Sequence, residues 1–136
     1  MAYWLIKSEP SAYSWDQLVK DKKTSWTGVR NFQAQINLKA MKVGDRAFFY
    51  HSGEGKEIVG IAEVVKAAYP DPTDKDGKAV AVDVKAVEPV KHAVTLAAIK
   101  ADPKFKEMKL VRQSRLSVSP VSDEHWKLLM KMSAAK

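Results

Sequence analysis

Trp26-Thr27-Gly28-Val29-Arg30-Asn31 puts a flat indole, a permissive glycine, a cation and an amide side by side. These residue types suit recognition of a planar ring. An indole face stacks on it, the Asn31 amide can donate to and accept from its edge, and the Arg30 guanidinium can fork onto a phosphate. The stretch has no clean helical or strand period and reads as a loop. The alternative is a loop whose Trp26 plugs the core.

Two other places carry polar groups at predicted strand ends. Lys7 and Ser8 follow Tyr3-Trp4-Leu5-Ile6, and His51 and Ser52 follow Ala47-Phe48-Phe49-Tyr50. Trp26, Tyr50 and Tyr69 could enclose a ring, with Ser8, Asn31 and Ser52 reading its edge from strand ends that face one cavity. Arg112, Arg115 and the Lys104 to Lys109 cluster, Lys109 included, would hold a phosphate backbone beside it. The competing readings are a core tyrosine for Tyr50 and a solvated helix face for the basic strip.

Catalysis has candidates in Lys7-Ser8-Glu9, which supplies an amine, a hydroxyl and a carboxylate, and in His51-Ser52. Neighbours on an extended chain point to opposite faces, so neither cluster is a dyad by adjacency, and no catalytic residue is assigned. His51, His92 and His125 are dispersed without H-x-x-x-H spacing, so no metal centre is predicted. Gly53-x-Gly55 lacks a third glycine and a following helix, so it reads as a hairpin turn rather than a phosphate cradle. No cofactor is implied.

The elements that must position these residues follow from local signals. Tyr3 to Lys7 reads as a buried strand stopped by Ser8-Glu9-Pro10. Ser14-Trp15-Asp16-Gln17 matches a capping box for a short helix to about Asp21. Phe32, Ile36 and Ala40 at i, i+4 and i+8 predict a second helix with those residues as its apolar face. Arg46 to His51 and Ile58 to Val65 are strands, and Gly60 within the latter predicts a bulge or a close backbone approach. Tyr69 to Gly77 is a long turn-rich tip. Val80, Val82 and Val84 alternate in a half-exposed strand ended by Pro89, which pairs with the preceding strand as a hairpin. Thr95 and Ser122 cap later helices, the last with Trp126, Leu129 and Met130 facing inward, and Leu116 to Val118 is a short strand closed by Pro120.

The 136 residues suffice for one domain, residues 1–136, with a real core at 46% hydrophobic content. Five or six short strands with small helices at the connections predict a compact mixed α+β barrel. Lys and Arg number 23 against 16 Asp and Glu, for a net charge of +7, which points to polyanionic partners. The absence of Cys excludes disulfides, thiolate zinc sites and a cysteine nucleophile. With no leader-like N-terminus and no apolar run of membrane-spanning length, the expectation is a cytoplasmic protein without membrane attachment.

Trp4-Leu5-Ile6-Lys7-Ser8-Glu9-Pro10, Trp26 to Asn31 with Gln33-Ala34, Gly44-Asp45, Phe48-Phe49-Tyr50-His51-Ser52, Ile58-Val59-Gly60-Ile61 and Gln113 to Val118 resemble the ordered motifs of the EVE domain. The resemblance runs nearly end to end and implies a PUA-like fold, a small β-barrel with surrounding helices. It also implies kinship with YTH domains, echoed by Lys7-Ser8, Trp26, Gly60-Ile61-Ala62-Glu63 and Ser114-Arg115. What it implies functionally is a reader that accepts a flipped or unstacked modified base, a cytosine derivative in DNA. Trp26 is then a cage wall, Lys7, Ser8 and Asn31 line the pocket, and Arg115 meets phosphate. The chain departs from the pattern in having Gln35-Ile36-Asn37 where Arg-Asn is common, and Tyr69 but no Trp in the loop from Ala67 to Ala79. The competing class is a small PUA-like hydrolase acting on modified nucleosides, with Lys7 and Glu9 as participants.

Overall fold

The computed structural model describes residues 2–53 and 55–134, so the Gly53-x-Gly55 turn lies partly outside the described residues at position 54. Among the described residues, six strands form one sheet: β1 (Tyr3–Ser8), β2 (Lys23–Trp26), β3 (Arg46–His51), β4 (Glu57–Pro70), β5 (Val80–Thr95) and β6 (Val118–Val121). Five α-helices accompany them: α1 (Trp15–Asp21), α2 (Phe32–Ala40), α3 (Leu96–Ala101), α4 (Lys109–Arg112) and α5 (Asp123–Ala134). The strand order is β2-β5-β4-β3-β1-β6, with β1 parallel to β3 and the other pairs antiparallel.

The strand alternation feeds two apolar clusters, one per face. Trp4, Ile6, Phe49, Ala62 and Val64 join Trp15, Leu18 and Trp26 on one side; Leu5, Phe48, Tyr50 and Ile61 join Ile99, Leu110, Trp126 and Leu129 on the other. Helices α1 and α2 thus cover the first face, and α3, α4 and α5 the second. Several predicted caps are present: Ser14 and Thr95 accept the Gln17 and Ala98 N–H groups at 3.1 Å, and Ser122 accepts that of His125 at 3.1 Å. Gln17 does not reach back to complete the box; its amide donates to Asp21 at 2.8 Å.

The sheet is not closed into the predicted barrel. Its edges, β2 and β6, are four residues each and do not pair with one another. Helix α2 packs against β4, β5 and β6 instead, and buried amides tie it down. Gln35 exchanges hydrogen bonds with the Val80 backbone and donates to Val29 O at 2.8 Å, while Asn37 donates to Val118 O at 2.6 Å. This reverses the predicted face of α2. Ala34, Gln35, Asn37 and Leu38 point inward, and Phe32 and Ile36 are 81% and 43% exposed.

Proline placement also differs from expectation. Pro89 lies inside β5, opposite Gly60 where the ladder shifts register, and Pro120 lies inside the edge strand β6, where its missing N–H is tolerated. Gly60 has both predicted features. The β4 ladder is irregular around it, and a Cβ there would come within 2.5 Å of the Trp15 ring.

Candidate nucleic-acid interface

The loop after β1 and the segment after β2 meet in a cleft of about 500 Å³ lined by Lys7, Ser8, Tyr13, Thr24, Trp26 and Arg30, with Ala12, Ser25, Thr27, Gly28, Val29 and Ser117 completing it. Trp26 does double duty. It is 8% exposed, meets Phe49 edge to face at 5.6 Å in the core, and still lines the cleft. Trp26 is therefore a core residue with one side on the cleft.

Tyr13 is the neighbouring aromatic that sequence reasoning missed. Its ring stands at 87° to Trp26 with centroids 6.4 Å apart, and both line the cleft. The Ser8 hydroxyl donates to Tyr13 O at 2.7 Å and so fixes the loop that carries this ring. The Tyr13 hydroxyl donates to Asp21 at 2.8 Å, and burial is the first cause raising its pKa. The available signal was the aromatic between a strand end and a helix cap, but only the tertiary fold brings it to Trp26.

Lys7 lines the cleft while its Nζ donates to Ser114 O at 2.7 Å and sits 5.7 Å from the centroid of the Tyr50 ring. Burial lowers its pKa. Arg30 is braced rather than free. Nη1 reaches Asp71 Oδ2 at 3.2 Å and Val29 O at 3.1 Å, and Nη2 reaches Thr73 Oγ1 at 3.1 Å. Its side chain stays 46% exposed, so one face of the cation remains available at the rim. Burial pushes the Asp71 carboxyl upward, but hydrogen bonds from Thr73, the Gly28 N–H and Arg30 outweigh this and hold it at about 2.

The other sequence candidates are not brought to this cleft. Asn31 caps α2, its Oδ1 accepting the Ala34 N–H at 2.9 Å, and it lines a separate hollow with Gln33, Arg112 and Arg115. Tyr50 is buried in the cluster on the opposite face of the sheet from Trp26, because strand alternation turns Phe49 toward Trp26 and Tyr50 away. His51 Nε2 accepts the Trp15 N–H at 3.0 Å, and burial lowers its pKa against the opposing charges of Glu57 and Asp16. Ser52 lines another hollow with Glu9, Pro10 and Gly53, which also separates Glu9 from the cleft that Lys7 lines. Tyr69 donates to Asp83 and lies under the Lys66 ammonium, 4.5 Å from its ring centroid, outside the cleft. Of the backbone-contact candidates, Arg112 pairs with Glu107, while Lys109 and Arg115 are exposed. Among the described residues there is no cluster of metal-ligating side chains, and no helix is long and apolar enough to cross a membrane.

A six-stranded mixed sheet with a parallel β1–β3 pair, helices on both faces and a cleft between the β1 and β2 exits defines an α+β module whose sheet stays open. Within that class the chain belongs to the EVE domain family, whose profile matches residues 2–132. It is 35% identical to thymocyte nuclear protein 1 of Gallus gallus over an alignment that covers 98% of this chain and 69% of that protein. The solved structure of Rpa0253 from Rhodopseudomonas palustris is 59% identical, with a TM-score of 0.93 and coverage of 98% of this chain and 93% of that one. Human THYN1 protein, solved in complex with 5-methylcytosine containing DNA, is 32% identical at a TM-score of 0.91, covering 100% and 99% of the two chains. The YTH domain of Zygosaccharomyces rouxii MRB1, solved with N6-methyladenosine RNA, shares the fold at a TM-score of 0.63 and 19% identity over 98% of this chain and 87% of that one.

Proposed function

We propose that this chain is a nucleic-acid-binding reader that takes a modified base, a cytosine derivative in DNA, into the cleft lined by Tyr13 and Trp26. The observation that carries the reading is a corner of two aromatic rings, Tyr13 and Trp26, set at right angles with centroids 6.4 Å apart, in a cleft rimmed by Lys7, Ser8 and Arg30. One wall offers a face for stacking the ring, and the other offers a face to a substituent on its edge. The relationship to human THYN1 protein, solved with 5-methylcytosine containing DNA, supports this choice of ligand.

A base held inside a duplex cannot enter such a cleft. The reading therefore includes extrusion of the nucleotide, at a cost of a few kcal/mol that stacking and backbone contacts must offset. Lys109, Arg115 and the exposed side of Arg30 are the proposed phosphate contacts, and binding weakens as salt rises.

The test is a binding array at fixed salt: matched oligonucleotides with and without 5-methylcytosine, in DNA and RNA, single- and double-stranded. Tighter binding to modified DNA, with the preference lost when the cleft is blocked by Ser8→Trp, is the expected result. Equal binding to modified and plain strands overturns the reading. Turnover of a modified nucleoside that disappears in Lys7→Ala would replace it with the hydrolase.

A further inference from the structure

Phe32 is the most exposed of the large hydrophobic residues at 81%, and the packing of α2 explains why. With Ala34, Gln35, Asn37 and Leu38 turned inward, the first residue of the helix projects outward into solvent. Its surroundings are specific. On one side it shares a groove with Arg30, Ile36, Lys39 and Lys78, together with the acidic Asp74 and Asp76. On the other side its chain neighbours Asn31 and Gln33 line a hollow with Arg112, Gln113 and Arg115 that holds no acidic residue.

Arg30 belongs both to this groove and to the Tyr13–Trp26 cleft. Phe32 is two residues further on, so its Cα lies within about 7 Å of that of Arg30. An exposed aromatic at that distance, between a groove of mixed charge and a hollow lined by Arg112 and Arg115, lies within one nucleotide of the cleft mouth.

We propose that Phe32 is a second base-contact point, a platform that stacks on the nucleotide next to the one in the cleft, on the same strand. The inference rests on the reading of the cleft as a base pocket. A nucleotide drawn out of a stack leaves its neighbour with one bare face, and an apolar ring covers that face regardless of base identity. The phosphates on either side then run toward Arg115 and past Arg30. Phe32 contributes affinity, and the cleft contributes the preference for the modified base.

The experiment is a cycle between Phe32→Ala and the flanking nucleotide. Wild type, Phe32→Ala and Phe32→Trp are titrated with DNA carrying one 5-methylcytosine or a plain cytosine, single- and double-stranded, whose 5′ or 3′ neighbour is either a normal nucleotide or an abasic sugar. Phe32→Ala is expected to weaken binding to intact DNA roughly five- to hundred-fold, while Phe32→Trp retains it. With the correct neighbour made abasic, wild type and Phe32→Ala should bind equally, and the ratio of modified to plain affinity should be unchanged throughout.

Unchanged binding by Phe32→Ala, or the same loss with both abasic strands, overturns the proposal. If wild type binds DNA without preferring the modified base, the pocket reading fails while the Phe32 cycle still gives its answer. If wild type binds no strand, both fail.

Discussion

Asp71 accepts the Gly28 N–H at 2.8 Å across 43 residues of sequence, and so ties the tip of the β4–β5 hairpin to the loop that forms one side of the cleft. The same carboxylate oxygen takes Arg30 Nη1, and its partner oxygen takes the Thr73 hydroxyl and N–H, each at 2.7 Å. Holding the carboxyl at about 2 against an ordinary 3.8 stabilises the ionised form in the folded state. At 1.36 kcal/mol per pKa unit this corresponds to about 2 kcal/mol at neutral pH. Because the folded value is the lower one, this stability is present above pH 4 and is lost as the pH falls toward 2. Asp71→Asn is expected to lower the urea-derived unfolding free energy by about 2 kcal/mol at pH 7 and to flatten its decline between pH 4 and 2. A wild-type decline in that window that survives Asp71→Asn would assign it elsewhere.

Gly60→Ala is expected to destabilise the protein because the new methyl would stand 2.5 Å from three atoms of the Trp15 ring. That ring is buried and meets Phe49 edge to face at 5.5 Å, so yielding to the methyl would disturb its packing against Phe49. Overpacking of this kind costs about 1 to 3 kcal/mol. The check is a thermal or chemical unfolding midpoint in two backgrounds, since Trp15→Leu, though destabilising itself, removes the clash and should shrink the effect of Gly60→Ala.

Where the sequence was legible, the signal was local. Ser14, Thr95 and Ser122 announce helix starts through their own hydroxyls, and the apolar runs of β1 and β3 announce themselves by composition. β2 was missed because Lys23-Thr24-Ser25 is polar, and only pairing with β5 makes it a strand. The face of α2 was inverted because Gln35 and Asn37 look like surface residues until their amides are seen bonded to Val29, Val80 and Val118. The same limit governs the site. Lys7 and Ser8, expected at a strand end, and Trp26 and Arg30, expected in a loop, do line one cleft, whereas Tyr50 lies one step of strand parity away, which moves a side chain to the opposite face. Tyr13 shows in the sequence only as an aromatic between a strand end and a helix cap, because its approach to Trp26 exists only in three dimensions.

His51 should make stability depend on pH near neutrality. Its Nε2 accepts the Trp15 N–H at 3.0 Å, a bond that only the neutral ring can make, and burial lowers its pKa from the usual 6.5. The facing charges, Glu57 and Asp16, oppose the shift without reversing it. A lowered folded value means that the unfolded chain binds the proton more readily, so the contribution is full above pH 6.5 and is lost as the pH falls through the folded value. His51→Gln, whose amide oxygen can still accept the same N–H, should remove this part of the slope between pH 7 and 5. An unchanged slope would place its source in another group.

Tyr13 offers a cleaner test of the cleft than Trp26, because Trp26 is also part of the core and its removal harms folding as well as binding. Tyr13 packs only partly against that core, and its hydroxyl bond to Asp21 is exposed. Tyr13→Phe keeps the ring and removes the hydroxyl, so affinity for the 5-methylcytosine strand should stay within about two-fold, given that an exposed hydrogen bond contributes little. Tyr13→Ala removes the wall and should weaken binding roughly five- to hundred-fold, the range for loss of one aromatic contact to a base. If the ring contacts the substituent rather than the base as a whole, the loss falls mainly on the modified strand, and the plain strand is affected less. Calorimetric titration of both variants with both strands separates these outcomes. Equal weakening by Tyr13→Phe and Tyr13→Ala would mean that the hydroxyl, through Asp21, is the working group and that the aromatic wall is not.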